Sequence, residues 1–262
     1  MTLIRTAIGT VLSLLLLTSC TASPTPTPAT DTPTATVITP SAPATPSPED
    51  LAAYFSAMAS CDPKKQRAAA QDYAAPGSNA YAYAIEQAAV YQAYLDGGLS
   101  VTASELETTP DGFQLCWTDS AQSKTCNDFN NLTYTDGKLA DFNAGGMPLA
   151  GRLSLGDGTA VPVGDMATAT LIAAYVSIAG ALYVIVEIRS NIDELRVAYT
   201  SYYRAPDGRQ ADVGQIIGPN YLNTDSLANF ALVFNGAEFG GTLNLGGFNS
   251  EYDRVSASIP IG

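Results

Sequence analysis

The spacing of apolar residues changes character several times along the chain, and each change predicts a different element. Residues 7–17 form a largely apolar stretch preceded by a single base, Arg5. The run is shorter than the ~20 residues a permanent membrane span needs, and its basic start and small-residue end have the layout of a secretory signal. From 21 to 48 the apolar period vanishes in a Thr-, Pro-, Ala- and Ser-rich stretch that holds half of the chain's 16 prolines. Such a stretch buries too little surface to offset its ordering entropy, and its prolines favour extended backbone, so a semi-rigid stalk is expected.

A helical period follows. Ser47-Pro48-Glu49-Asp50 is a helix start, and Leu51, Tyr54, Phe55 and Met58 recur at helical spacing behind it. Asp62-Pro63 opens a second helix that Ala75-Pro76-Gly77 stops. Ser78 caps a third, whose Tyr83, Gln87, Val90, Tyr91, Tyr94 and Leu95 make one stripe, closed by Asp96-Gly97-Gly98. This stripe reads as a core face packed on a sheet rather than as a ligand cage. After Gly98 the period becomes alternating, with strands expected over 99–107, 112–118, 124–134 and 138–143 and turns at Pro110-Asp111-Gly112 and Thr135-Asp136-Gly137.

The last part of the chain lacks helical periodicity. Strands are expected over 152–155, 159–163, 168–177, 182–189, 195–204, 230–234, 242–245 and 254–259, which predicts a β-sandwich. Residues 167–186 carry no charge and are numerous enough to span a bilayer. Polar Thr168, Thr170 and Ser177, the Ala179-Gly180 break and the β-branched second half favour a hairpin of two buried strands. Helices first and strands afterwards give an α+β class, and a composition shift at Gly145-Gly146 divides the folded part into 48–145 and 146–262.

Composition then narrows the chemistry. The net charge of −13 becomes one unit more negative when Arg5 leaves with the signal, which disfavours nucleic acid and anionic lipid as partners and permits basic or neutral surfaces. The four cysteines suit an oxidising compartment. Cys116 and Cys126 flank a hairpin whose pairing places the two sulfurs across from each other, with Phe113, Leu115 and Trp117 on the other face. That bridge is favoured, with a bridge from Cys61 to either partner as the alternative, and Cys61 is otherwise a buried free thiol.

Histidine is absent, and so are a Cys-x-x-Cys, a phosphate loop and a nucleophile elbow. Asp119, Asp128 and Asp141 are the available carboxylates and read as solvated, lacking the burial or charged partner that tunes a catalytic acid. Asp111-Gly112 and Asp207-Gly208 read as turns and not as calcium loops. Tyr202, Tyr203 and Tyr221 suit either a contact patch or ordinary core and edge positions. No catalytic residue, metal or cofactor is expected.

Three resemblances add to this reading. Leu17-Thr18-Ser19-Cys20 resembles the lipobox of bacterial lipoproteins, which implies removal of the signal peptide 1–19 and lipidation of Cys20. The chain would then be held on the extracytoplasmic face of the cell membrane, with 20–47 as stalk; stalks of this composition look like those of high-GC Gram-positive lipoproteins. Residues 48–145 resemble the NTF2-like (cystatin-like) fold in element order and in Ala74-Ala75-Pro76-Gly77-Ser78 between helices. That likeness implies helices on a curled antiparallel sheet around a cone-shaped pocket, in which some members use an Asp base. Leu182-Tyr-Val-Ile-Val-Glu-Ile-Arg-Ser-Asn191, with Tyr202-Tyr203-Arg204-Ala205-Pro206-Asp207-Gly208-Arg209-Gln210, resembles the telokin-like, immunoglobulin-like domains of actinobacterial antigens and DUF4352-type lipoproteins. The expected function is a noncatalytic binding or interaction module of the envelope, its partners being the membrane through the anchor and other envelope proteins or cell-wall components. The alternative is a carrier of a small apolar ligand, or an isomerase-type enzyme, using the pocket of 48–145.

Overall fold

The computed structural model describes residues 45–118 and 122–262. The signal 1–19, Cys20, the stalk up to residue 44 and Asp119 lie outside the described residues.

Three helices open the fold, α1 (Pro48–Ala59), α2 (Pro63–Tyr73) and α3 (Asn79–Asp96). Each starts where a side chain meets orphan amide groups. Ser47 Oγ accepts from the Asp50 N–H at 3.1 Å, Asp62 Oδ1 from Lys64 N–H at 2.9 Å, and Ser78 Oγ from Tyr81 N–H at 3.1 Å.

A five-stranded antiparallel meander follows, β1 (Glu105–Thr109), β2 (Gly112–Thr118), β3 (Lys124–Thr135), β4 (Lys138–Ala144) and β5 (Met147–Pro148). The expected strand over 99–107 is shortened to β1: residues 101–104 have no regular structure, and Leu99 is half exposed. The α1 ring of Phe55 packs among Phe113, Phe129 and Phe142 of this sheet at centroid distances of 4.5, 5.3 and 5.6 Å.

The remaining strands are β6 (Leu153–Leu155), β7 (Ala160–Val163), β8 (Ala167–Val176), β9 (Ala181–Ser190), β10 (Arg196–Val197), β11 (Tyr202–Arg204), β12 (Gln210–Asp212), β13 (Gln215–Ile217), β14 (Leu227–Asn235), β15 (Thr242–Phe248) and β16 (Arg254–Pro260). One sheet runs β13-β14-β9-β8-β6, with β7 also on β8; another runs β10-β15-β11-β12, with β16 on the other side of β15. The class is therefore α+β with mostly antiparallel strands. The expected strand over 195–204 is divided into β10 and β11, and β12 and β13 are additional; three-residue strands such as Gln210-Ala211-Asp212 are too short to register as alternation.

Residues 167–186 form most of the β8–β9 hairpin, and among the described residues no helix is long and apolar enough to cross a membrane. Side-chain alternation explains the uncharged run. Val184, Val186 and Ile188 of β9 enter a core shared with Leu243, Leu245 and Ile259 of the other sheet. Ile185, between them, enters a second core with Ala89 and Ala93 of α3 and Ala231 and Val233 of β14. Strands buried on both faces need apolar residues at every position.

Helix α3 is buried on two sides for the same reason. Ala80, Tyr83 and Ala84 belong to the core beneath the first sheet, while Ala89 and Ala93 pack against β9 and β14. The expected stripe from Tyr83 to Leu95 is thus only part of the packed surface: Leu95 is 49% exposed, and small alanines make the close contact instead. At the end of α3, a Cβ on Gly97 would lie 2.7 Å from the carbonyl oxygen of Gly218, so this approach requires glycine.

Cys116 and Cys126 are directly paired across β2 and β3 and form a disulfide, and Cys61 is a buried free thiol. Phe113 and Leu115 are buried as expected of one strand face, whereas Trp117 is 43% exposed. The bridge closes a short loop, for which chain entropy gives about 2–3 kcal/mol. Replacing both cysteines with serine is expected to lower unfolding free energy by that amount, read from urea midpoints; an unchanged midpoint would show that the hairpin does not need its bridge.

Candidate functional site

A cleft of about 720 Å³ opens where α3 passes from the first sheet to the β8–β9 hairpin. Its walls follow from the elements just described. Helix α3 contributes Tyr83, Glu86, Tyr91 and Tyr94, β8 contributes Tyr175, β9 contributes Tyr183, and β2 contributes Leu115 and Trp117 at one side. Tyr83 meets Tyr175 edge to face at 5.9 Å, and Tyr91 lies 6.5 Å from Tyr94.

Glu86 is the unusual member of this lining. It is only 1% exposed, and one carboxylate oxygen accepts a hydrogen bond of 2.8 Å from its neighbour Gln87. Desolvation by burial pushes its carboxyl up to about 7, against a smaller downward pull from Gln87. Glu86 shares the cleft lining with four phenols, those of Tyr83, Tyr91, Tyr175 and Tyr183, each of which feels its negative charge. Burial holds Tyr83 and Tyr91 far above the ordinary phenol value, raises Tyr183 and takes Tyr175 to about 12, so these hydroxyls stay protonated at neutral pH.

Behind Tyr175, outside the lining, lies Arg152. Its guanidinium lies 5.2 Å from the Tyr175 ring centroid and donates to the Tyr175 hydroxyl at 3.0 Å. It is also tied to the Val176 carbonyl at 2.7 Å, so its positive end is spent on β8.

Of the carboxylates singled out from the sequence, Asp119 lies outside the described residues, and neither Asp128 nor Asp141 lines this cleft. Asp128 is exposed on β3 and accepts from the Gln114 amide. Asp141 is half-buried on β4 and accepts from Asn79 Nδ2 of α3 at 2.9 Å and from its neighbour Phe142 N–H at 2.8 Å. Tyr203 is buried against Phe234 at 5.8 Å while Tyr221 is half exposed, so the three tyrosines of the last part do not make one patch. The Asp207 carboxylate turns back on Arg209, as a turn residue does.

Glu86 is the residue that sequence reasoning missed. A glutamate followed by glutamine on a helix reads as a solvated pair. The available signal was composition, since the eighteen residues of α3 hold only Glu86 and Asp96 as charged groups, in a helix otherwise rich in alanine and tyrosine. Asp96 is accounted for by docking, because it accepts from the Asn229 N–H of β14 at 2.7 Å. Glu86 has no such role.

No family model, characterised protein or solved structure matches this chain.

Proposed function

We propose that this protein is an extracytoplasmic module, anchored in the cell membrane through a lipid on Cys20, that binds a small and largely apolar ligand in the tyrosine-lined cleft. The observation that carries the binding site is Glu86, a fully buried carboxyl beside an open cavity of about 720 Å³. Burying an ionisable group costs stability unless something compensates it, and among the described residues none forms an ion pair with it. The volume lies within the range of small-molecule pockets, and the convergence of one tunable acid with aromatic walls is their usual composition.

The anchor rests on the Leu17-Thr18-Ser19-Cys20 motif, and the stalk lifts the module from the lipid surface. In this reading, the helices and first sheet form an NTF2-like cone, and the two later sheets form an immunoglobulin-like sandwich that supports one wall of it and serves contacts with envelope or cell-wall partners. The negative net charge keeps nucleic acid outside the set of partners.

A neutral fluorescent arylamine such as N-phenyl-1-naphthylamine is expected to bind the folded chain saturably at one site. Val90→Trp, which fills the cleft from α3, is expected to abolish that signal while circular dichroism stays native. Absence of saturable binding by the natural chain would remove the reading. A second reading, isomerase-type proton transfer, is favoured by the Glu86 carboxyl being pushed up to about 7, where it can take and return a proton near neutral pH. It predicts deuterium exchange into a bound carbonyl compound, lost in Glu86→Gln.

A further inference from the structure

We propose that the ligand of this cleft is an organic cation, an amine or quaternary ammonium compound whose charge sits against Glu86 among the rings of Tyr83, Tyr91, Tyr175 and Tyr183. The inference rests on the cleft being a ligand site, as proposed above, and names the chemistry that the site recognises.

The first ground is the charge balance of the lining. Among the described residues it contains two carboxylates, Glu86 and Glu105, and neither lysine nor arginine. Glu105 already has a cation, Lys124 at 3.3 Å, at the exposed rim. Glu86 has none: burial and the Gln87 amide are all that act on it. Arg152, which lies outside the lining, is held by Tyr175 and the Val176 carbonyl and acts on the Tyr175 phenol. A ligand that brings its own positive charge supplies what the fold withholds.

The second ground is the character of the walls. Protonated phenols present electron-rich ring faces, which attract ammonium groups, most strongly where water is excluded. A buried carboxylate with such rings around it suits a cation and disfavours an anion. An apolar neutral ligand would bury the same surface yet leave Glu86 to remain protonated. The net charge of −13 works in the same direction, drawing cations toward the molecule and repelling anions.

Binding of a cation must then be linked to a proton. A cation against Glu86 favours the carboxylate, so below the carboxyl's own midpoint each bound cation displaces a proton, and affinity falls about tenfold per pH unit. Among the described residues, the titratable groups that line the cleft with Glu86 are Tyr83, Tyr91 and Tyr94 of α3, Tyr175 of β8, Tyr183 of β9, the Cys61 thiol beside Tyr91, and Glu105 of β1. Burial raises the phenols of Tyr83, Tyr91, Tyr175 and Tyr183, so they carry no charge change into this range.

The test uses the full chain with phenyltrimethylammonium, whose charge is permanent, and with its neutral isostere tert-butylbenzene. At pH 8 the cation is expected to bind at least about tenfold more tightly than the isostere. Between pH 6.5 and 5.5 its affinity is expected to fall about tenfold, with proton release visible as a buffer-dependent heat. In Glu86→Gln both the preference and the pH dependence are expected to vanish. Equal binding of the two probes by the natural chain, unaffected by pH, would overturn the cation while leaving the cleft as a ligand site. Failure of both probes and of the neutral arylamine to bind the folded chain would overturn both. The pH dependence in the natural chain keeps the proposal falsifiable if Glu86→Gln does not fold.

Discussion

Alanine in place of Phe55 is expected to lower the unfolding free energy by about 3–5 kcal/mol, a large part of the ~5–15 kcal/mol that holds a domain together. Phe55 is fully buried, and its ring meets Tyr54, Phe113, Phe129 and Phe142 within centroid distances of 5.6 Å. It is the wedge between α1 and the first sheet, so truncation leaves a cavity that rigid strands on one side cannot close. Urea midpoints measure the effect. Leu95→Ala, at an exposed position on α3, is expected to leave the midpoint nearly unchanged. A loss below about 1 kcal/mol for Phe55→Ala would mean that α1 does not dock through this ring.

The second large effect is a stability that declines as pH rises through the neutral range. Glu86 moves from an ordinary 4.5 to about 7 on folding, so between these values the folded chain holds a proton that the unfolded chain has lost. Stability is therefore full below about 4.5, falls as pH rises, and levels off above about 7, with a total change on the order of 3 kcal/mol. Asp157, Asp193 and Asp207, lowered from 3.8 by local hydrogen bonds, work the other way, but only as pH falls below their ordinary values. The window from 4.5 to 7 thus belongs to Glu86. Glu86→Gln is expected to flatten it in thermal or urea unfolding, and a natural chain equally stable at pH 5 and pH 8 would contradict the assignment.

Much of the architecture was legible because it is encoded locally. Helix starts at Ser47, Asp62 and Ser78 are set by side chains meeting amide groups two or three residues on, which spacing alone reveals. The Cys116–Cys126 bridge follows from hairpin register, and the hairpin within 167–186 from a glycine break in a β-branched run. What was not legible depends on contacts distant in sequence. The packing of Ala89 and Ala93 on β14 joins residues about 140 positions apart and leaves only alanines as its trace. Tyr203 and Tyr221 look alike in sequence, yet one is core and the other surface.

The candidate site was hidden for the same reason. Tyr83, Tyr91 and Tyr94 were recognised as one stripe, but their partners Tyr175 and Tyr183 come from strands that only the tertiary fold brings to α3. A glutamate on that helix has no local signature of burial, because the other walls of the cleft come from β8, β9 and the first sheet. The same distant packing that hides Glu86 from sequence reasoning desolvates it.

The titration of the Glu86 carboxyl itself is the decisive observation. Carbon-13 NMR of the side-chain carboxyl, assigned by comparison with Glu86→Gln, should show a midpoint near 7, moved downward when phenyltrimethylammonium is present. A midpoint at the ordinary 4.5, unmoved by the cation, would mean that water reaches the carboxyl freely and that the cleft is not the working site of this protein.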